Sequence, residues 1–181
     1  PGTVVLQEST ASCSVTTGSY NVTINANPSP VITSSNTTVC AGATGETYSV
    51  VASGNTYSWT VTGGSITAGA GTNSITVTWG GGAGGTVGIT ETSAAGCSGS
   101  ASQAIVINAN PVPVISGDNV VCANEAGVVY STPSAGNTYD WTVTGATSFT
   151  GDGSNTITVS WAAAGPGRVV LQESTASCSV T

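Results

Sequence analysis

Apolar and polar residues alternate in short runs along almost the whole chain. In Tyr57-Ser58-Trp59-Thr60-Val61, residues Tyr57, Trp59 and Val61 fall on one face. In Ser74-Ile75-Thr76-Val77-Thr78-Trp79, residues Ile75, Val77 and Trp79 do the same. A period of two marks a strand that buries one face against a core. Between Pro28 and Asn110 the pattern predicts seven strands, separated by Gly, Asn and Ser turns. The first is split into Val31-Ile32 and Thr38-Val39; the others cover 46–51, 57–61, 65–68, 74–79, 85–92 and 101–108. Strands this short and this evenly spaced predict an all-β sandwich.

The pattern recurs. Gly54 to Gly63 (GNTYSWTVTG) returns as Gly136 to Gly145 (GNTYDWTVTG), an offset of 82. Asn73 to Trp79 returns as Asn155 to Trp161 and Cys40 as Cys122, at the same offset; Ile24 to Pro28 returns as Ile107 to Pro111, at 83. A longer period lies over this one. Residues 1–16 and 166–181 are identical except for Thr3 against Arg168, an offset of 165. Two diverged units therefore form a super-repeat that begins again nearly unchanged, the mark of a linear array. Seven strands per unit suit an immunoglobulin-like sandwich. On this reading residues 1–27 are the last two strands of a preceding domain. Residues 28–110 form a complete domain, and residues 111–181 form one that lacks its last strand. The joints are Asn-Ala-Asn-Pro28-Ser29-Pro30 and Asn-Ala-Asn-Pro111-Val112-Pro113, where Pro28, Pro30, Pro111 and Pro113 favour extended, stiff connections.

Composition narrows the function. The 181 residues include one basic residue, Arg168, eight acidic residues and no His, for a formal net charge of −7. One Arg cannot neutralise a run of phosphates, which excludes a nucleic-acid surface. Without His or Lys there is no Ser-His-Asp or Cys-His pair, no Schiff-base lysine and no His-ligated zinc, so the chain is expected not to be an enzyme. No cofactor, catalytic residue or metal ligand can be nominated. No stretch approaches 18 consecutive apolar residues, so no membrane span is predicted.

Several segments together resemble the PKD-like repeats: Cys40-Ala41-Gly42, Tyr48-Ser49-Val50, Asn55 to Val61, Gly71 to Trp79 and Gly96-Cys97. Such repeats occur in giant secreted and cell-surface proteins of Bacteroidota. The resemblance covers essentially the whole chain, twice over. It implies a β-sandwich, export by the type IX route, and a stalk or adhesin context. One departure stands out: where the better-known PKD pattern has W-x-F-G-D-G, this chain has Trp59-Thr60-Val61-Thr62-Gly63-Gly64.

Five cysteines, Cys13, Cys40, Cys97, Cys122 and Cys178, form an odd set. Two regular pairings exist. One joins Cys40 to Cys97 and Cys122 to Cys178; the other joins Cys13 to Cys40 and Cys97 to Cys122. In an alternating seven-strand sandwich, the start of strand one and the turn between strands six and seven lie at the same end. That selects the first pairing, with Cys13 bonded to an upstream repeat. Each such loop would contribute roughly 4 kcal/mol in the chain-entropy model.

Trp59, Trp141, Tyr57 and Tyr139, on central strands, are expected in the core, and Trp79 and Trp161 in the core or at a joint. Asp152-Gly153-Ser154-Asn155 faintly resembles a calcium loop, but its counterpart at 70–73 carries no acid, so turn chemistry explains it better. The function expected is a structural repeat of an extracellular or cell-surface filament, stalk or adhesin in an oxidising environment. Its partners would be further copies of the same repeat, joined head to tail covalently or non-covalently. The alternatives are a module that binds surface polysaccharide and an accessory domain of a secreted protein.

Overall fold

The computed structural model describes residues 2–82, 84–133 and 135–180, with the side chains of 14–17, 179 and 180 left out. Every regular element among them is a strand. Strands β1 (Gly2–Ser9) and β2 (Ser14–Val22) form a hairpin of their own. The first sandwich follows: β3 (Thr33–Ser34), β4 (Thr38–Cys40), β5 (Glu46–Ser49), β6 (Thr56–Thr62), β7 (Gly64–Ala68), β8 (Ser74–Trp79), β9 (Gly84–Thr92) and β10 (Ser98–Asn108). One sheet has the order β4-β10-β9-β6 and the other β3-β5-β8-β7. The second sandwich repeats the plan with β11 (Val128–Ser131), β12 (Thr138–Thr144), β13 (Ala146–Thr150), β14 (Thr156–Trp161), β15 (Arg168–Ser174) and β16 (Ser179–Val180). Its sheets are β11-β14-β13 and β12-β15-β16.

The alternating residues do the packing. Trp59 of β6, Ile75, Val77 and Trp79 of β8, Val87 and Ile89 of β9, and Ile105 and Ile107 of β10 close one core together with Val39, Tyr48 and Val50. Val128, Tyr130, Trp141, Ile157, Val159, Trp161 and Leu171 close the other. Tyr57 and Tyr139 pack partly buried against their respective cores. The two cores share architecture down to single rings. Tyr48 meets Trp79 edge-on at 84° and 6.0 Å, and Tyr130 meets Trp161 at 85° and 6.0 Å. The Trp59 indole N–H donates to the Thr72 carbonyl, and the Trp141 indole N–H to the Ser154 carbonyl, both at 2.8 Å.

Two features depart from the expected strand plan. The first half of the split first strand forms at Thr33–Ser34, two residues later than Val31-Ile32, the second half starts as expected and runs Thr38–Cys40, and in the second unit the Ser116↔Ser131 bridge alone represents it among the described residues. The seventh strand of the second unit is begun: Glu173 pairs with Val180 and Ser174 with Ser179. The β1–β2 hairpin pairs Glu8 with Val15 and Ser9 with Ser14, the same contacts 165 positions earlier.

The third departure is topological and overturns a prediction. β4 pairs with β10 in parallel, setting Thr38 opposite Val106, Val39 opposite Ile107 and Cys40 opposite Asn108. Cys40 therefore lies where β10 ends, whereas Cys97 immediately precedes its start. Ten residue steps of about 3.3 Å separate the two ends. Cys40–Cys97 and Cys122–Cys178 do not form. The disulfide present is Cys40–Cys178, with Cα atoms 5.6 Å apart, and Cys13, Cys97 and Cys122 are free thiols. The expectation failed because it treated Cys40 as the start of a strand antiparallel to its neighbour; Cys40 is the end of a parallel one.

Candidate functional site

No group of three or more metal-ligating side chains occurs among the described residues. The notable chemistry sits at the ends of the sandwiches, where one unit meets the next. At the joint after the first sandwich, Asn110 donates its side-chain N–H to the Ala41 carbonyl at 3.1 Å, and the Ala41 N–H donates to the Asn108 carbonyl at 2.8 Å. The exit strand is thus pinned to the loop after Cys40, directly before Pro111. The β15–β16 turn reaches the same place. Its Cys178 sulfur lies 3.9 Å from the Asn108 carbonyl and is bonded to Cys40. The disulfide spans the joint and ties the end of β4 in one sandwich to a hairpin turn of the next.

The turn that delivers Cys178 is built by Thr175. The Thr175 N–H donates to the Cys178 carbonyl at 2.7 Å, while its hydroxyl accepts from the Cys178 N–H at 3.0 Å. The β1–β2 turn closes likewise, with the Thr10 N–H on the Cys13 carbonyl at 2.7 Å. In the first sandwich the Ser93 N–H donates to the Cys97 carbonyl at 2.9 Å, and the Cys97 sulfur lies 3.8 Å from the Asn25 carbonyl. Asn25 is the counterpart of Asn108, so Cys97 faces the upstream joint as Cys178 faces the downstream one. Gly99 belongs to that joint too: a Cβ there would stand 1.9 Å from the Pro28 carbonyl oxygen. Pro28 therefore packs on the hairpin turn. Pro30, Pro111 and Pro113 lie in the connecting segments outside strands.

Cys122 occupies in the second sandwich the place of Cys40 in the first. The Trp79 N–H donates to the Ala43 carbonyl at 2.8 Å, and the Trp161 N–H to the Glu125 carbonyl at 2.7 Å. The Glu125 carboxylate also accepts the Cys122 N–H at 2.6 Å, closing the loop around the thiol.

The second sandwich carries an open slot. Beyond Glu173 and Ser174, β15 has no partner on its β16 side among the described residues. A cleft of ≈ 490 Å³ opens there between Asn119–Cys122 on one wall and Gly167, Arg168 and Val169 on the other, over Trp161. In the first sandwich the equivalent space is filled by the end of β10, between β4 and β9. The segment with the matching sequence is the end of β2 together with the residues just after it, 20–25. Val22 and Ile24 are 37% and 73% exposed, whereas their counterparts Ile105 and Ile107 are 2% and 3% exposed.

Other candidates resolve into structure. All four Trp indoles are buried, which leaves no Trp platform for a sugar. Asp152 accepts the Trp141 N–H at 2.9 Å and the Gly153 N–H at 3.0 Å, the turn role expected of it. Sequence reasoning missed Glu91 and Glu173, both buried on the strand next to the central Trp. Glu91 accepts the Ser53 hydroxyl at 2.5 Å, and Glu173 accepts an Asn137 side-chain N–H at 3.2 Å. The signal was present, since Glu8, Glu91 and Glu173 recur at one phase of a sequence with only eight acids.

No curated protein matches the chain. Among solved structures, the human desmocollin-1 ectodomain is similar over 87% of this chain and 36% of its own, at 12% identity and a TM-score of 0.34. The PKD-like domain family matches residues 26–107 and again residues 108–181. With two adjacent matches covering most of its length, the chain belongs to the PKD-like domain family.

Proposed function

We propose that this chain is a structural repeat segment of an extracellular or cell-surface filament, stalk or adhesin, in which PKD-like domains run head to tail. In that reading residues 1–27 end a preceding domain, 28–110 form a complete one, and 111–181 await a last strand from a further copy. The observation that carries it is the complementarity of the open slot and the segment at the end of β2. The slot beside β15 lacks an apolar strand end, and Val22 and Ile24 present one that lacks a slot. A further copy supplying residues 18–25 completes the sandwich, by covalent succession or by donor-strand exchange. Such a contact is heterologous and does not close on itself, so it propagates as a line.

The environment fits. A disulfide is at home in an oxidising compartment. No helix among the described residues is long and apolar enough to cross a membrane. The reading as a polysaccharide module has the buried indoles against it. Tyr20, 75% exposed, is the most exposed aromatic among the described residues, and its counterpart in the complete sandwich is Gln103.

The test is assembly. Two domains of roughly 35–45 Å each, from strand rise plus turns, give an axial repeat on the order of 70–90 Å. Electron microscopy of the secreted protein should show thin fibres with that repeat. Val22→Asp with Ile24→Asp should abolish them while leaving the first sandwich folded. Compact closed particles, or fibres unchanged by the double variant, would refute the reading.

A further inference from the structure

We propose that every joint of the array carries one disulfide of the Cys40–Cys178 kind: Cys122 is bonded to Cys97 of the following copy, and Cys13 to Cys40 of the preceding copy. This rests on the head-to-tail reading. Three observations carry it. The bond present joins two different sandwiches, not two strands of one. Cys97 and Cys178 occupy equivalent turns, each with its sulfur beside the last carbonyl of the preceding unit, at 3.8 and 3.9 Å. Cys40 and Cys122 occupy equivalent far ends, each followed by the same loop hydrogen-bonded to the N–H of Trp79 or Trp161. Each free thiol therefore faces a joint, and each joint offers a complementary one. The odd count of five follows, because Cys13 and Cys178 are the same position 165 residues apart.

Bond formation balances with a disulfide oxidant of the export compartment. One cysteine thiolate attacks the oxidant's disulfide and expels one of its sulfurs as a thiol. The partner thiolate then displaces the second. Two S–H bonds are lost, one S–S bond forms, and the two protons and two electrons leave on the reduced oxidant.

The staples produce two continuous covalent rails. One runs from Cys13 along β2, through the Pro28 joint to Cys40, and crosses to Cys178; it covers 27 positions. The other runs from Cys97 along β10, through the Pro111 joint to Cys122, and crosses to the next copy's Cys97; it covers 25 positions. Each run spans two domains. Fully extended, 25–27 residues reach only about 80–95 Å, close to the two-domain length. The rails are already taut, and residues 41–96 and 123–177 bridge one rail to the other and bear no load. Tension cannot unravel a domain, so the filament is an inextensible cable. Pairing within domains would instead let each domain roughly double in length.

The experiment is linkage mapping on the secreted full-length protein, with free thiols alkylated before digestion. Arg168 is the sole basic residue, so trypsin is of little use. Cleavage before Asp118 separates Cys97 from Cys122, and chymotryptic cleavage after Tyr20 separates Cys13 from Cys40. The expected result is a Cys122 peptide joined to a Cys97 peptide, a Cys40 peptide joined to that of Cys178 or Cys13, and no alkylated cysteine. Cys40–Cys97 or Cys122–Cys178 peptides, or alkylated Cys97 and Cys122, would overturn the proposal. A Cys97–Cys122 bond within one copy is recognised on the 181-residue chain alone. Thiol titration in denaturant should count three free thiols there, and a count of one overturns the proposal. Pulling single molecules adds a mechanical readout. Without reductant no unfolding steps are expected, and with reductant steps of about 250 Å per domain. Imaging reads the array and mapping reads the bonds, so fibres whose cysteines pair within domains would remove the staples alone.

Discussion

Cys40 stands opposite Asn108, at the exit end of the strand whose entry follows Cys97. That relationship directs the thiol out of its own sandwich. It predicts that Cys97→Ser in the 181-residue chain leaves the Cys40–Cys178 bond intact and changes stability by no more than about 1 kcal/mol, since it alters one atom of a half-buried free thiol. Cys178→Ser should release the tie between sandwiches. Calorimetry should then show the same lowered transition that reductant produces in the parent. A large loss from Cys97→Ser would mean that the bond lies within the domain.

The two cores are separate clusters, so damage should stay local. Trp59→Ala should destabilise the first sandwich, and Trp141→Ala the second, each by about 3–5 kcal/mol. Each indole also satisfies a turn carbonyl, of Thr72 or of Ser154, that the substitution leaves bare. Hydrogen exchange resolved by peptide should show protection lost in one sandwich and kept in the other.

Tyr48 links the core to pH. Burial pushes its phenol above the ordinary value of 10.0, the Glu46 carboxylate pushes the same way, and the hydrogen bond from Trp79 opposes both. Below pH 10 the folded and unfolded chains both hold the proton, and the contribution of Tyr48 is complete. As pH rises past 10 the unfolded chain ionises first, so stability falls until the folded phenol ionises as well. Tyr48→Phe should cost about 1–3 kcal/mol at neutral pH, since the Trp79 indole N–H loses its acceptor at 3.2 Å. The same variant should flatten the alkaline decline of the first sandwich. Denaturant titrations at pH 8 and pH 11 distinguish the two effects.

Gly85 and Gly167 lie beneath the paired indoles. A Cβ on Gly85 would stand 2.3 Å from the Trp79 ring and 2.6 Å from the Thr62 carbonyl oxygen; on Gly167 it would stand 2.5 Å from the Trp161 ring. The Thr62 ladder carbonyl and the buried Trp79 ring cannot retreat, and the Trp161 ring can do so only by leaving its packing for the cleft it lines. Gly85→Ala and Gly167→Ala should each destabilise their sandwich by about 1–3 kcal/mol, the usual cost of overpacking. Near-ultraviolet circular dichroism should report the displaced Trp. Gly82→Ala, with no atom within 4 Å of a Cβ, is the neutral control.

Much of this protein was legible in the order of its residues. The period of two in 57–61 and 74–79 is a local property, set by the pleat of a strand. Trp59, Val61, Ile75, Val77 and Trp79 could therefore be assigned to a core face before any fold was known. The offset of 82 carried the same assignment to Trp141, Val143, Ile157, Val159 and Trp161. The offset of 165 pointed to Gly18–Asn25 as the sequence that the strand after β15 would resemble. What the residues did not decide was the direction in which Thr38–Cys40 meets Ser98–Asn108. A three-residue strand has no amphipathic pattern long enough to distinguish a parallel from an antiparallel neighbour. Its direction depends on how the loop after Ser34 crosses between sheets, and that is a matter of packing across the whole sandwich. The destination of every cysteine hangs on that direction. Sequence determined which strands form and which side chains they bury; tertiary structure decided which ends come together, and so whether sulfur closes a domain or joins two.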